Sequence, residues 1–377
     1  MNYNFETRIK GLRDTIDDID KQILSLISRR LKEVQEVVAL KKEHGIPVYH
    51  PAREEDLISK LRIQADDEGV DPDFMEELYR VIIRNSRIRQ TTEMKQQGIR
   101  PGARVLIVGG AGQMGQFFSG MFSGSGYTVR ILTENNWDEV NQLCRDIDLV
   151  LISVPIHVTL ETIRRIARHL PAHTVLADIT STKTAPVKAM LTHFSGPVLG
   201  LHPLFGPSCA TLDKQIIAVT PGRDNAACQW VVEQLTLWGS IIVTASPEEH
   251  DEIMDIVQAL RHFATFCFGQ FLAQRKINLK RTLEFSSPIY RLELGMVGRL
   301  FAQDSRLYSE IIFATPARRE ILKDYVKTLN EQIALVEKND KTLFMKRFAE
   351  VADWFGPFSD QAMRESDYII NKLIQRF

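Results

Sequence analysis

The segment VLIVGGAGQMGQFF, residues 105–118, constrains the fold more than any other: an apolar strand runs directly into Gly110-x-Gly112-x-x-Gly115 and then into a helical pattern. A glycine motif alone is a weak signal, but strand, loop and helix in this order form a dinucleotide-binding unit. Gly110 would permit the tight turn, Gly112 lets a pyrophosphate approach the backbone, Gly115 lets helix and strand pack, and the helix N-terminus faces the phosphates. Gln113 and Met114 in the same loop, with Ser153 and Pro155 at the end of a strand expected at 149–154, complete the cofactor-binding set. Beyond the second strand the chain reads ILTENNWDE. Glu134 is there the candidate partner of a ribose 2′-hydroxyl, favouring NAD over NADP; the alternative is a solvated loop carboxylate.

Around this motif the texture is that of a parallel α/β sheet, with short β-branched runs at 104–108, 128–132, 149–154, 174–178, 198–201, 216–220 and 241–243 alternating with helical segments. Before it lie three helical patterns. The first has apolar residues at helical spacing from about Asn4 to His44, stopped by Gly45 and Pro47. The second starts at Pro51, and the third runs from Pro72 to about Thr92. Three helices of such unequal length cannot bury the first one alone, so the module is expected to pair with a second copy. From Pro247 onward helical periodicity returns. The expected domains are therefore a helical one at 1–92, a linker at 93–103, a Rossmann-like nucleotide-binding domain at 104–246 and an all-helical domain at 247–377. A chain of 377 residues accommodates that number.

Charge and composition exclude several functions. Forty-seven Lys and Arg against 48 Asp and Glu leave a formal charge of −1, so no global field recruits nucleic acid and the partner is expected to be a small molecule. No apolar run approaches a membrane span, and the N-terminus MNYNFETRIKGLRD has no signal-like apolar core, so a cytoplasmic protein is expected. The four cysteines are widely separated. Pro171 between His169 and His173 denies that pair a helical metal-ligand geometry, and no metal is expected.

Arg13, Arg30, Lys41, Arg53, Ser86 and Gln90 in the N-terminal helices, followed by GGAGQMG, DITSTK, LGLHPLFGP and SSPIYRLELGMVGRLFAQD, make the chain resemble the bifunctional chorismate mutase–prephenate dehydrogenases of bacterial tyrosine synthesis. The resemblance covers essentially the whole chain. It implies chorismate and prephenate as substrates, NAD as cofactor, a homodimer, and tyrosine as inhibitor.

Helical geometry supports the first half independently. At about 100° per residue Lys41 lies only about 20° round from Arg30, whereas Arg13 is about 100° away. Ser86 and Gln90 are four residues apart on one face. Arg53 stands in the first turn of its helix, where the macrodipole disfavours a cation and a ligand explains it better. Chorismate rearrangement is unimolecular. Its site must hold the compact conformer and stabilise charge growing on the ether oxygen. The resemblance implies that Lys41 and Gln90 address that oxygen, Arg30 and the partner's Arg13 the carboxylates, and Arg53, Glu54 and Ser86 the hydroxyl and ring side. His50 departs from the Asp that some related mutases carry.

For the second reaction, prephenate must lose a hydride from C4 together with CO2, and an acceptor at the C4 hydroxyl promotes this. His202 follows the strand PVLGL at a carboxyl end, where open α/β sheets bind ligands. It resembles the family's catalytic histidine, with Ser181 as a second contact to the hydroxyl. Arg299 resembles the carboxylate anchor, with Arg291 and His262 supporting it. His250, in EEHDE, reads as a helix-surface residue. Two rival readings are a dehydrogenase of another hydroxy acid whose N-terminal helices only dimerise, and a nucleotide-sensing regulator. The first leaves Arg30, Lys41, Arg53 and Gln90 without purpose, the second His202 and Arg299.

Overall fold

The computed structural model describes residues 3–44, 51–94, 98–209 and 211–374, and it divides into two compact units, Met1–Val154 with Val158–Pro247, and Pro155–His157 with Glu248–Phe377. The first unit opens with three helices, α1 (Tyr3–His44), α2 (Pro51–Asp67) and α3 (Pro72–Met94). His50 lies outside the described residues.

An alternation of strands and helices follows: β1 (Arg104–Val108), α4 (Gln113–Gly124), β2 (Thr128–Leu132), α5 (Val140–Leu143), β3 (Leu149–Ile152), α6 (Ile156–Ala167), β4 (Val175–Asp178), α7 (Thr184–His193), β5 (Val198–Pro203), β6 (Ile216–Arg223), α8 (Asn225–Leu237) and β7 (Ile241–Thr244). Among the described residues these strands form one sheet in the order β2-β1-β3-β4-β5-β6-β7. Successive residues of each strand point to opposite faces, and in the central strands β1, β3, β4 and β5 both faces are buried, whereas the edge strands β2 and β7 are partly exposed. Val105, Ile107, Leu149 and Leu151 pack with Phe118, Phe122, Val231 and Trp238 of one helical layer. Leu106, Val108, Val150 and Ile152 pack with Ile163, Ile166, Val187 and Met190 of the other.

All neighbouring strands are parallel except β5 and β6, which run antiparallel, so the expectation of a wholly parallel sheet is corrected at this pair. The cause is the connection. Parallel neighbours need a crossover, usually a helix, and the described residues of the β5–β6 segment hold none.

The second unit is helical: α9 (Pro247–Met254), a π-helical segment at Asp255–Leu260, α10 (Arg261–Gln274), α11 (Leu279–Glu284), α12 (Pro288–Phe301), α13 (Ser305–Phe313), α14 (Pro316–Glu337), α15 (Lys341–Phe355) and α16 (Pro357–Ile374). His250 is buried here, its Nδ1 2.9 Å from Asp251 Oδ1, which corrects the helix-surface reading. Flanking acids made the segment look solvated, yet only part of a helix's circumference faces water. No described helix is long and apolar enough to cross a membrane.

Candidate active sites

The first site is a cavity of about 210 Å³ among α1, α2 and α3. From α1 it takes Arg30, Val34, Val37 and Lys41, spaced i, i+4, i+7, i+11, and from α3 it takes Ile83, Ser86, Arg87 and Gln90, spaced i, i+3, i+4, i+7. Both series are single helix faces. Arg53, Glu54 and Leu57 from α2 close the wall. Six residues expected at this site, Arg30, Lys41, Arg53, Glu54, Ser86 and Gln90, thus line one cavity. Arg13 does not: it lies on an exposed stretch of α1.

The cavity is cationic and pre-oriented. Arg30 donates to Ser86 Oγ at 2.8 Å, and Ser86 donates back to the Ile82 carbonyl at 2.9 Å, so the guanidinium is held by a hydroxyl that is itself anchored to α3. Burial lowers the Lys41 pKa below its usual value, with Glu54 opposing the shift. The side-chain oxygen of Gln90 is buried without a hydrogen-bond partner. This oxygen is placed to accept a hydrogen bond from a donor that enters the cavity. The sequence reading missed Arg87. Burial alone would lower its pKa, but hydrogen bonds to Glu54 and Asp213 outweigh that and raise it.

The second site is built at the carboxyl edge of the sheet. After β1 the turn falls on Gly109, not Gly110: Gly109 has φ +85°, and a Cβ there would sit 2.3 Å from the Ser153 carbonyl oxygen. Gly115 keeps the expected packing role, because a Cβ would come within 2.6 Å of the Gly109 oxygen. Helix α4 begins at Gln113 with Gly112 at its N-cap and no side-chain cap, and a Cβ at Gly112 would meet only the Gly109 oxygen at 3.4 Å. An uncapped helix start under a bare backbone fits a dinucleotide's phosphates. Met114 is half-buried against the core, and Gln113 is exposed. Glu134 is exposed at the tip of a turn pinned by Asn136 Oδ1, which accepts from the Thr133 amide at 2.7 Å. Ser153 follows β3 directly, and its amide donates to the Val108 carbonyl at 2.8 Å.

Ser181 and His202 stand at the ends of neighbouring parallel strands. Asp178, the last residue of β4, pairs with Gly200 of β5, so Ser181 lies three residues and His202 two residues beyond one register point. His202 is buried; Ser181 is half-buried. The loop carrying Ser181 is fixed by Asp178, whose Oδ2 accepts from the Thr180 amide at 3.0 Å, from the Thr180 hydroxyl and from Lys183 Nζ at 2.5 Å. Asp178 and Lys183 are fully buried. The sequence reading had no role for either.

The second unit carries the remaining candidates. His262 packs edge-on against Tyr308 at 4.8 Å; burial, helped by Arg261, lowers its pKa to about 4, and its Nδ1 is buried without a partner. The π-helical segment before it is pinned by the buried Arg318, whose Nε donates to Asp255 Oδ1 at 2.8 Å. π-helical turns of this kind are frequent at functional sites. Arg291 donates to the Leu283 carbonyl at 2.5 Å, whereas Arg299, near the end of α12, is exposed. Pro155 is also exposed.

Comparison with known proteins places the chain in a family. Residues 12–91 match the model for chorismate mutase type II, residues 126–243 that for the prephenate dehydrogenase nucleotide-binding domain, and residues 246–350 that for the prephenate dehydrogenase dimerization domain. The T-protein of Enterobacter agglomerans is 43% identical over 362 residues, 95% of this chain and 96% of that one. The chain belongs to the T-protein family. It joins a chorismate mutase and a prephenate dehydrogenase of tyrosine synthesis in one polypeptide. A second T-protein, from Haemophilus influenzae, is 37% identical and covers 98% of both chains. At the level of fold, a prephenate dehydrogenase from A. aeolicus, solved with hydroxyphenyl propionate and NAD+, aligns with a TM-score of 0.56 at 18% identity, covering 67% of this chain and 96% of that one. The nucleotide-binding match begins beyond the glycine loop, so the phosphate site rests on the loop's own geometry.

Proposed function

We propose that the two reactions run in two separate sites of a cytoplasmic homodimer, the mutase in the α1–α3 cavity and the dehydrogenase at the carboxyl edge of the sheet. The observation that carries this is the convergence of Arg30, Lys41, Arg53, Glu54, Ser86 and Gln90 on one cavity, while Ser181 and His202 end adjacent strands.

In the mutase site Arg30, held by Ser86, takes a substrate carboxylate in a fixed orientation. Lys41 and the Nε2–H group of the Gln90 side chain donate to the ether oxygen as negative charge grows there, both residues lining the cavity. Arg13 of the partner chain supplies the second carboxylate contact. The exposed Leu12, Ile16, Ile19, Ile23 and Leu26 of α1 support pairing, since their alternating spacing of four and three residues is that of a helix–helix seam.

In the dehydrogenase site NAD, when bound, supplies the hydride acceptor. Gly112 and the first amides of α4 hold its pyrophosphate and Glu134 its ribose; Gln113, Met114, Ser153 and Pro155 complete the contacts. His202 takes the proton of the C4 hydroxyl, Ser181 orients that hydroxyl, and Arg299 binds a carboxylate with Arg291 and His262 in support. Tyrosine, similar in shape to the dehydrogenase product, inhibits at this site. The exposed Phe344, Phe348 and Trp354 of the second unit give it an apolar surface for dimerization as well.

The test supplies chorismate and NAD and follows both chorismate absorbance and NADH. His202→Asn is expected to abolish NADH formation while chorismate still disappears, and Lys41→Ala to abolish chorismate loss while added prephenate is still oxidised. A folded variant of either kind that lost both activities would overturn the two-site reading.

A further inference from the structure

The wall of the mutase cavity does not end within the mutase helices. Arg87 is buried, and its two ends bind acids from different domains: Nη1 donates to Glu54 Oε2 at 2.5 Å, and Nε donates to Asp213 Oδ1 at 2.9 Å. Asp213 belongs to the segment joining β5 to β6, the same segment that follows His202. Its neighbour Lys214 places Nζ 3.7 Å from the same Glu54 oxygen. Glu54 and Arg87 line the cavity; Asp213 and Lys214 do not.

The nucleotide-binding domain presents these two residues from a rigid base. Leu212, just before Asp213, is fully buried in the sheet's core. Lys214 is held at φ +58°, a left-handed conformation that a long side chain seldom adopts, while its amide donates to the Gly239 carbonyl at 2.9 Å. A second contact brings the same two domains together, because Val38 of α1, three residues before Lys41, is buried with Leu237 of α8. Two of the mutase helices are therefore seated on the nucleotide-binding domain at points next to their cavity residues.

Glu54 and Arg87 are long side chains with several rotamers, and at a cavity wall their positions decide where the hydroxyl and ring side of a substrate can sit. Asp213 fixes Arg87 from behind, and Lys214 supplies a second cation to Glu54. We propose that Asp213 and Lys214 are positioning residues of the chorismate mutase site, so that the mutase cavity takes its final shape and charge from the dehydrogenase's nucleotide-binding domain. This rests on the assignment of the α1–α3 cavity to the mutase.

The test uses the full-length dimer. Mutase kcat and KM are measured from chorismate loss, and dehydrogenase kinetics from NADH with added prephenate, for Asp213→Asn, Glu54→Gln, their double variant, Lys214→Met and Lys41→Ala. Asp213→Asn is expected to raise the mutase KM about tenfold with a smaller change in kcat, because substrate placement is disturbed more than charge stabilisation at the ether oxygen. Dehydrogenase kinetics should stay within about twofold of wild type. The double variant should be no worse than the more damaged single one, since both act through one line of contacts. A mutase KM unchanged in Asp213→Asn, or fully additive effects in the double variant, would overturn the proposal while leaving the cavity assignment intact. Retained mutase activity in Lys41→Ala would overturn the assignment itself, and the proposal with it. If Asp213→Asn does not fold, Lys214→Met decides, its side chain being partly exposed: a KM raised about threefold supports the proposal and an unchanged KM refutes it.

Discussion

Lys183 donates to the carbonyl oxygen of Leu201 at 2.6 Å, and Leu201 immediately precedes His202. The same ammonium binds Asp178 Oδ2 at 2.5 Å, the oxygen that also holds the turn leading into Ser181. One buried cation therefore ties together the backbone segments that carry Ser181 and His202, the two residues proposed to bind the substrate hydroxyl.

Replacing Lys183 by Met should leave the Asp178 carboxylate buried and unpaired, which costs about 3–5 kcal/mol of stability. Combining it with Asp178→Asn removes the bare charge and should restore most of that stability. The dehydrogenase rate should stay at least about tenfold down in both variants, because misplacement by a fraction of an ångström is enough. Urea unfolding midpoints and NADH production check this; a rate that recovers along with stability would mean that Lys183 acts on folding alone.

The mutase should lose activity on the alkaline side at a pH below the 10.5 of an ordinary lysine. Burial lowers the Lys41 pKa, so its charge is lost earlier as pH rises, and in the proposed mutase site the rearrangement needs that charge at the ether oxygen. Lys41→Arg keeps its cation throughout, and though slower it should show no such limb. Profiles of log kcat/KM against pH for the two enzymes provide the comparison, and parallel curves would assign the limb to another group.

His262 should make the protein less stable in mild acid. Its folded pKa is about 4 against 6.5 for a free histidine. Below pH 6.5 the unfolded chain takes up a proton that the folded chain refuses until pH about 4, so stability falls through that window and levels off beneath it. Thermal melts of His262→Gln should slope less between those pH values than the wild type. Equal slopes would mean that the ring is protonated normally. At neutral pH His262 is therefore uncharged, and its proposed support of the carboxylate is by hydrogen bonding rather than by charge.

The two helix faces that line the α1–α3 cavity were legible because their spacing is fixed by 3.6 residues per turn, and the seven strands among the described residues were legible because short β-branched runs stand out from their helical surroundings. The direction of β6 was not, since an apolar run reads alike in both directions; the helix-free connection before it was the available clue. Arg87 was missed for a different reason. A cation on a helix is ordinarily solvated, and its acid partners Glu54 and Asp213 lie 33 and 126 residues away in the chain. Buried Lys183 likewise has no local signature: its partner Asp178 is close in sequence, but only the sheet brings the Leu201 carbonyl to it.

Arg13 tests the mutase site across the dimer. It lies on an exposed stretch of α1, outside its own chain's cavity, about 25 Å along the helix from Arg30 and about 100° round from it. A contact with substrate therefore has to be made in the partner's cavity. Arg13→Ala and Lys41→Ala homodimers should each be nearly inactive as mutases. Refolding equal amounts together makes mixed dimers in which one cavity combines an intact Arg13 from one chain with an intact Lys41 from the other, while the second cavity lacks both. With random pairing half of the dimers are mixed and one of their two cavities is whole, so mutase activity should return to about a quarter of wild type. Dehydrogenase activity, measured on the same samples with added prephenate, should not change on mixing. Tagged subunits establish that exchange has occurred. Exchange without recovery would place Arg13 outside the site, and its assignment to the partner's cavity would have to be abandoned.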